Sequence, residues 1–342
     1  MSFWKQSEPL LLLAPMYDVS DTAFRQMVAR YSSPSAMFTE FVSVHGLTSK
    51  AAHKLERELF FSKLERPIIA QIYGIDPALF EKTAKRLVDI GFDGIDINMG
   101  CPVNKVLKSG SCSALIETPT LAQDIVRATK AGAGDVPVSI KTRIGLNEIV
   151  TERWITQLLD VEPVAITVHG RTSRELSKVP CHFDEIGKAA ALAKGTGIKI
   201  VANGDIKTID EAHSLIDTYA LGGAMFGRAA FGNPWIFTGY IPTVKERLRA
   251  CVEHTYLFEE YFGINSAHLL QHKWPPKNFN IMKKHYKAYC SGFDGAKELR
   301  VALMETRGAL EVKQLVDAFL EKKETLHDIR VGLPESLPFN KG

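Results

Sequence analysis

The sequence has no apolar run long enough to cross a bilayer. Residues 9–15 form too short a stretch and follow no basic leader, so neither export nor membrane association is expected. Cysteine is sparse: five in 342 residues, an odd number without disulfide-type spacing, which fits a reducing cytoplasm rather than a stapled secreted scaffold. There is no Walker-type phosphate loop, no paired-cysteine zinc pattern and no Gly-x-Gly-x-x-Gly after an early strand. His268-Leu-Leu-Gln-His272 has metalloprotease spacing without the glutamate, so it reads as helix filler and no metal is expected. Net charge is also small, at +3.

What is present is a soluble composition, 45% hydrophobic and 24% charged, on a chain long enough for one large domain and a smaller one. Short apolar, β-rich runs recur at residues 11–14, 36–39, 68–71, 94–98, 138–142, 165–169, 199–203 and 223–226. Helical patterns lie between them, as at residues 77–90, 120–131, 152–160 and 210–218. Continuously apolar strands joined by helices indicate parallel strands buried on both faces. Eight such units predict an α/β fold, a (β/α)₈ TIM barrel over residues 1–243, in preference to a doubly wound open sheet. Helical patterns at 245–258, 279–291 and 298–319 predict a smaller helical domain over 244–330, and 331–342 reads as an irregular tail. A monomer is the simplest expectation.

In a barrel, side chains at the carboxyl ends of the strands converge on the active site. Here those ends read Pro15-Met16, Glu40, Gln71, Asn98 with Cys101, Lys141 with Arg143, His169, Asn203-Gly204-Asp205 and Gly227-Arg228. Any one of them reads equally as a turn former or a satisfied core polar group; a whole ring does not. The last two close strands seven and eight, where barrels often hold phosphate, although Asn-Gly-Asp is also ordinary turn chemistry. Lys141 suits stabilising an anion; a Schiff-base lysine and a snorkelling surface lysine are the other readings. His169 reads either as a cofactor contact or as a structural histidine. In Gly100-Cys101-Pro102 the glycine permits a tight turn, the proline fixes the loop, and a thiol near its ordinary pKa is mostly protonated at neutral pH, hence a proton donor. Cys112, Cys181, Cys251 and Cys290 read as structural.

Charge is unevenly spread. Between Lys273 and Arg300 there are seven basic residues against two acidic ones, with Trp274, His285, Tyr286 and Tyr289 among them. Such a mixture either holds phosphates and stacks bases or is a solvated basic face.

These motifs together resemble the tRNA-dihydrouridine synthases, closest to the bacterial branch. The matching strings are Ala14-Pro-Met-Tyr-Asp-Val-Ser-Asp21, Gln71-Ile-Tyr-Gly74, Asp96-Ile-Asn-Met-Gly-Cys-Pro-Val103, Lys141-Thr-Arg143, Val168-His-Gly-Arg-Thr172, Asn203-Gly-Asp205, Gly227-Arg228 and Gly232-Asn-Pro-Trp235. The resemblance implies FMN across the barrel mouth, with Pro15, Met16 and Tyr17 edging the ring. Gln71, Lys141 and His169 would contact ring and ribityl chain, and Asn203, Gly204, Asp205, Gly227 and Arg228 would hold ribityl and phosphate. It implies reduction of a specific uridine in tRNA to 5,6-dihydrouridine with NADPH (or NADH), Cys101 protonating C5. Asn98 would bind the uracil with Arg143 nearby, and the segment bearing Lys283, Lys284 and Lys287 would bind tRNA. The rival is another FMN-barrel oxidoreductase, dihydroorotate-dehydrogenase-like or ene-reductase-like, acting on a small conjugated substrate. Three places depart from the family pattern: Tyr17 where alanine is commoner, Cys112 where glycine is common, and the stretch Ser177-Lys-Val-Pro-Cys-His-Phe-Asp184.

Overall fold

A computed structural model describes residues 3–50 and 52–323. The chain divides into two compact units: one takes the chain up to Tyr17 together with Pro34–Gly227, the other takes Asp18–Ser33 and everything from Arg228 onward.

Eight parallel strands close the first unit into a barrel: β1 Leu10–Leu13, β2 Ala36–Phe38, β3 Ile68–Tyr73, β4 Gly94–Met99, β5 Val138–Arg143, β6 Ala165–His169, β7 Lys199–Asn203 and β8 Gly223–Phe226. Each pairs with the next, and β8 returns to pair with β1. All eight lie within two residues of the expected spans. The two-residue strand Val42–Ser43 adds to the end of β3. Intervening helices carry ordinary punctuation. In Pro77–Ile90, Asp76 accepts hydrogen bonds from the N–H groups of Ala78 and Leu79, proline opens the first turn, and Gly91 ends the helix at φ 92°.

Register decides what the barrel encloses. Side chains alternate across a strand, so one face can be followed round the ring from partner to partner. Leu12 pairs Ala36, Phe38 pairs Ile69, Gln71 pairs Asp96, and Asp96 pairs Ser139. The same face continues through Lys141 beside Thr167 and His169 beside Asn203, closing through Asn203 beside Met225 and Met225 beside Leu12. Leu10, Leu12, Ala36, Phe38, Ile69, Ala165, Val201 and Met225 form one buried cluster on it. Gln71, Asp96, Asn98, Ser139, Thr167 and Asn203, on the same face, are buried polar residues. The interior is therefore apolar across β8, β1 and β2, while β3 to β7 carry polar residues on it, with Ile69, Ala165 and Val201 apolar nearer the strand starts.

The second unit is helical: Thr22–Tyr31, Val244–Phe262, Ala267–His272, Met282–Tyr289, Ala296–Met304 and Ala309–Lys323. Its core includes Ala23, Met27, Leu248, Phe258, Met282, Tyr286, Tyr289, Leu303 and Val316. Arg247, buried in the long helix, donates to the carbonyls of Ala288 (3.1 Å) and Tyr289 (2.7 Å), satisfying the end of Met282–Tyr289. Two expectations change here. The single helix expected at 298–319 is two helices, because Thr306 turns its hydroxyl back onto Leu303 O and Glu259 accepts from Ala309 N–H to start the second. The division falls at 227/228 rather than 243, and residues 18–33 go with the helical unit because Ala23 and Met27 are packed in its core. The expected tail, 331–342, and the last residues of the expected helical domain lie outside the described residues.

Candidate active site

At the carboxyl ends of β3 to β5 the polar interior becomes a hydrogen-bonded chain. Ser139 Oγ donates to Asp96 Oδ1 (2.6 Å), Gln71 Nε2 to Asp96 Oδ2 (2.8 Å), and Asn98 Nδ2 to Gln71 Oε1 (3.1 Å). Asn98 Oδ1 then accepts from the N–H groups of Gly100 and Cys101, both at 3.0 Å. A fully buried carboxyl thus anchors, through two amides, the loop that carries the thiol. Burial raises Asp96 to about 6, opposed by its bonds from Ser139 and Gln71 and by Lys141.

Cys101 is half-buried. Hydrogen bonding with the Cys112 thiol lowers it to about 7 against the opposing effect of burial, with further help from the Val103 backbone, Arg143 and Lys141. The same interaction and burial push Cys112 well up. A thiol near its ordinary pKa is not what the loop holds; near pH 7 Cys101 is part thiolate. Gly100 serves the loop by its lack of a side chain. Its φ is not positive; a Cβ there would come within 3.3 Å of the Thr142 backbone, so glycine lets the loop lie against β5.

Lys141 Nζ donates to Asn203 Oδ1 (2.9 Å), and Asn203 Nδ2 donates to Met225 O (2.9 Å). Burial, with repulsion from Arg143, lowers Lys141 to about 8. Arg143 is buried, and it spends its donors on the loops: Nε on Gly100 O (2.7 Å), Nη1 on Thr172 O (3.1 Å). Burial lowers it to about 10. After β7 the backbone turns left-handed at Gly204 (φ 116°) and Asp205 (φ 48°). A Cβ on Gly204 would meet Cys181 Sγ at 2.8 Å and His169 Nε2 at 3.3 Å, so this glycine is needed for space as well as for φ. The Asp205 carboxylate pairs with buried Arg171 and accepts from Cys181 N–H (3.3 Å). Gly227 adjoins Met16, whose Sδ lies 3.6 Å from where a Cβ would be. Tyr17 is 61% exposed and leads a row of rings, 5.7 Å to Phe41 and then 5.5 Å to Tyr73.

The first unit thus gathers Met16, Gln71, Asn98, Cys101, Lys141, Arg143, His169, Asn203, Gly204, Asp205 and Gly227 at the strand ends and the loops that follow them, with Pro15 and Tyr17 on the first loop. Arg228, next in the chain, opens a short 3₁₀ turn of the second unit. Sequence reasoning missed Asp96 and Ser139, for which the alternation Asp96-x-Asn98 beside Ser139-x-Lys141 was a signal; it marked Cys112 and the stretch holding Cys181 as departures but read both thiols as structural.

In the second unit, Lys283, Lys284 and Lys287 lie on Met282–Tyr289, with Lys284 exposed and 3.7 Å from Asp18 Oδ2. The expected base-stacking rings are not on offer there: His285, Tyr286 and Tyr289 are buried, because they occupy the apolar face of that helix. Trp274 stacks on His272 at 4.4 Å, and buried Lys277 faces Asp21 at 3.7 Å.

The family described as "Dihydrouridine synthase (Dus)" matches residues 12–324. The chain belongs to the dihydrouridine synthase family. A protein of Staphylococcus aureus (strain COL) named "Probable tRNA-dihydrouridine synthase" is 34% identical over 97% of this chain and 99% of its own length. "Probable tRNA-dihydrouridine synthase 2" of Bacillus subtilis (strain 168) is 34% identical over 94% of this chain and 97% of its own. Among solved structures, morphinone reductase matches at 10% identity with TM-score 0.49, over 70% of this chain and 87% of that one, a likeness too loose to add to the topology above. Cys112 takes φ 57°, a left-handed conformation that favours glycine.

Proposed function

We propose that this enzyme reduces a uridine of tRNA to 5,6-dihydrouridine, with FMN held at the barrel mouth and NADPH (or NADH) as electron donor. The observation that carries the reading is one thiol, Cys101, anchored through Asn98 on the same polar face as Lys141 and Asn203, at the carboxyl end of a barrel of this family. The donor set fits a flavin. Lys141 makes one hydrogen bond among the described residues, to Asn203, which leaves its ammonium two further N–H groups for an electron-rich ring edge. Gly227 keeps the end of β8 free of a side chain where a ribityl phosphate would pass, while Gly204, packed against Cys181 and His169, would offer its backbone. Pro15, Met16 and Tyr17 would edge the ring; Gln71, Lys141 and His169 would contact it; Asn203, Gly204, Asp205 and Gly227 would hold ribityl and phosphate.

Bound FMN would supply hydride to C6 of the uracil. Cys101 Sγ, in its protonated form, would give the proton to C5, and Asn98 keeps the loop in place through Gly100 and Cys101 N–H. Arg143 braces the same loop at Gly100 O, so its part in binding uracil is indirect. A uridine stacked in folded tRNA must turn outward to reach the site. Lys283, Lys284 and Lys287 would meet phosphates rather than bases. The 34% identity to proteins named as tRNA-dihydrouridine synthases favours this reading over a small conjugated substrate.

Purified protein is expected to be yellow and to form dihydrouridine from unmodified tRNA with FMN and NADPH, seen by nucleoside mass spectrometry. Cys101→Ala should lose nearly all turnover and stay yellow; a variant as active as the parent removes Cys101 as the acid. Neutralising Lys283, Lys284 and Lys287 together should weaken tRNA binding and flatten its salt dependence, measured as log K against log salt. An unchanged slope returns that helix to a solvated face.

A further inference from the structure

Five free thiols are present, and two pairs of them influence each other's titration, Cys101 with Cys112 and Cys251 with Cys290. Cys251 and Cys290 are wholly buried, out of reach of any solute. Cys101 and Cys112 are different. Cys112 is buried at the start of the 3₁₀ helix Cys112–Glu117, whereas Cys101 is partly open to solvent. The two segments are tied together by Ser113 Oγ donating to Cys101 O (2.9 Å), which sets Cys112, the next residue back, beside Cys101, close enough for each thiol to shift the other's titration. Ten residues separate the cysteines, so joining them closes a small ring already closed by non-covalent contacts. A disulfide asks only that two Cα atoms lie within about 7 Å with their Cβ atoms turned toward each other.

We propose that Cys101 and Cys112 are the two halves of a reversible redox site, in which a peroxide converts them to a disulfide and a dithiol restores them. The chemistry balances in two steps. The Cys101 thiolate attacks the peroxide O–O bond, giving a sulfenic acid and, after protonation, one water. The Cys112 sulfur then displaces the hydroxyl, forming the S–S bond and, with its own thiol proton, a second water. The cysteines lose two electrons and the peroxide gains two. Cys101 starts the sequence because it is both the exposed member and the one carrying thiolate near pH 7. Cys181, also half-buried, is held mainly by burial up at about 12 and is a poor competitor. Cys112 serves as the resolving thiol, a duty glycine at that position could not perform. Oxidation would withdraw the proton donor, a consequence that rests on the reading of Cys101 given above.

The test uses the purified flavoprotein, treated with stoichiometric hydrogen peroxide, alkylated and digested with trypsin without reductant. Lys105 and Lys108 lie between the cysteines, so Cys101 falls in peptide 87–105 and Cys112 in peptide 109–127. The expected product is the two peptides joined, two hydrogen atoms lighter than their sum, separating again after dithiothreitol. Turnover should be lost on oxidation and regained on reduction. In Cys112→Gly, whose backbone suits φ 57°, peroxide should instead carry Cys101 to sulfinic acid, and dithiothreitol should not restore activity. Peptides that stay separate in the wild-type protein overturn the proposal. A joined pair with undiminished turnover leaves the redox site standing and removes Cys101 as the acid.

Discussion

Cys101 titrates in company, and its pH behaviour follows from that. A proton donor works only while protonated. With Cys101 lowered to about 7 by the Cys112 hydrogen bond, turnover should be full at lower pH and fall as pH rises through 7. Removing that bond in Cys112→Gly should move the fall toward the ordinary thiol range, upward in pH. Initial rates of dihydrouridine formation at saturating tRNA measure both; coincident profiles would separate the two thiols functionally. At this scale the sequence was readable where an odd residue ended an apolar strand, as with Lys141 and Cys101. Asp96 was not readable in the same way. Its place beneath Gln71 and Ser139 depends on register between three strands, which no single stretch of sequence encodes.

Elements were legible where their cause is local. Ile68–Tyr73 and Val138–Arg143 are apolar runs between turn residues, and Pro77–Ile90 has a cap at each end. The break in the last helical stretch was not legible, because Glu259, fifty residues earlier, supplies the acceptor that starts Ala309–Lys323. Arg247 is a second long-range support. Arg247→Met keeps its bulk but removes the donor from the buried Tyr289 carbonyl, and leaves Ala288 O with Ser291 Oγ alone. That should cost about 2–3 kcal/mol of stability in the helical unit. Urea unfolding followed by far-ultraviolet circular dichroism reads the loss, and a midpoint equal to the parent's would show the carbonyls find other donors.

For the whole molecule, acid is the revealing condition. His254 and His285 meet at 4.4 Å between ring centroids beside Phe24, and burial lowers both, His285 to about 3. Unfolding releases them to take protons at their ordinary pKa. Stability is therefore complete above about 6.5 and declines as pH falls below it, by up to about 1.4 kcal/mol per pH unit for each histidine. Thermal unfolding scans from pH 7.5 to 5 should show that decline, and His285→Phe should lessen it. The barrel was legible as a whole because eight strand–helix units repeat. The true limits of the helical unit were not, since nothing local in residues 18–33 says that they pack with a core some two hundred residues further on.

That placement of Thr22–Tyr31 sets an order on synthesis. A ribosome delivers this helix among the first segments, while the cluster holding Ala23 and Met27 draws most of its members from beyond residue 235. β1 precedes this helix, and the other seven barrel strands, all made by residue 226, emerge in between. The earliest helix must therefore wait for the last ones, and a ribosome stalled after β8 would carry every barrel strand alongside a helix whose apolar face has yet to meet its core.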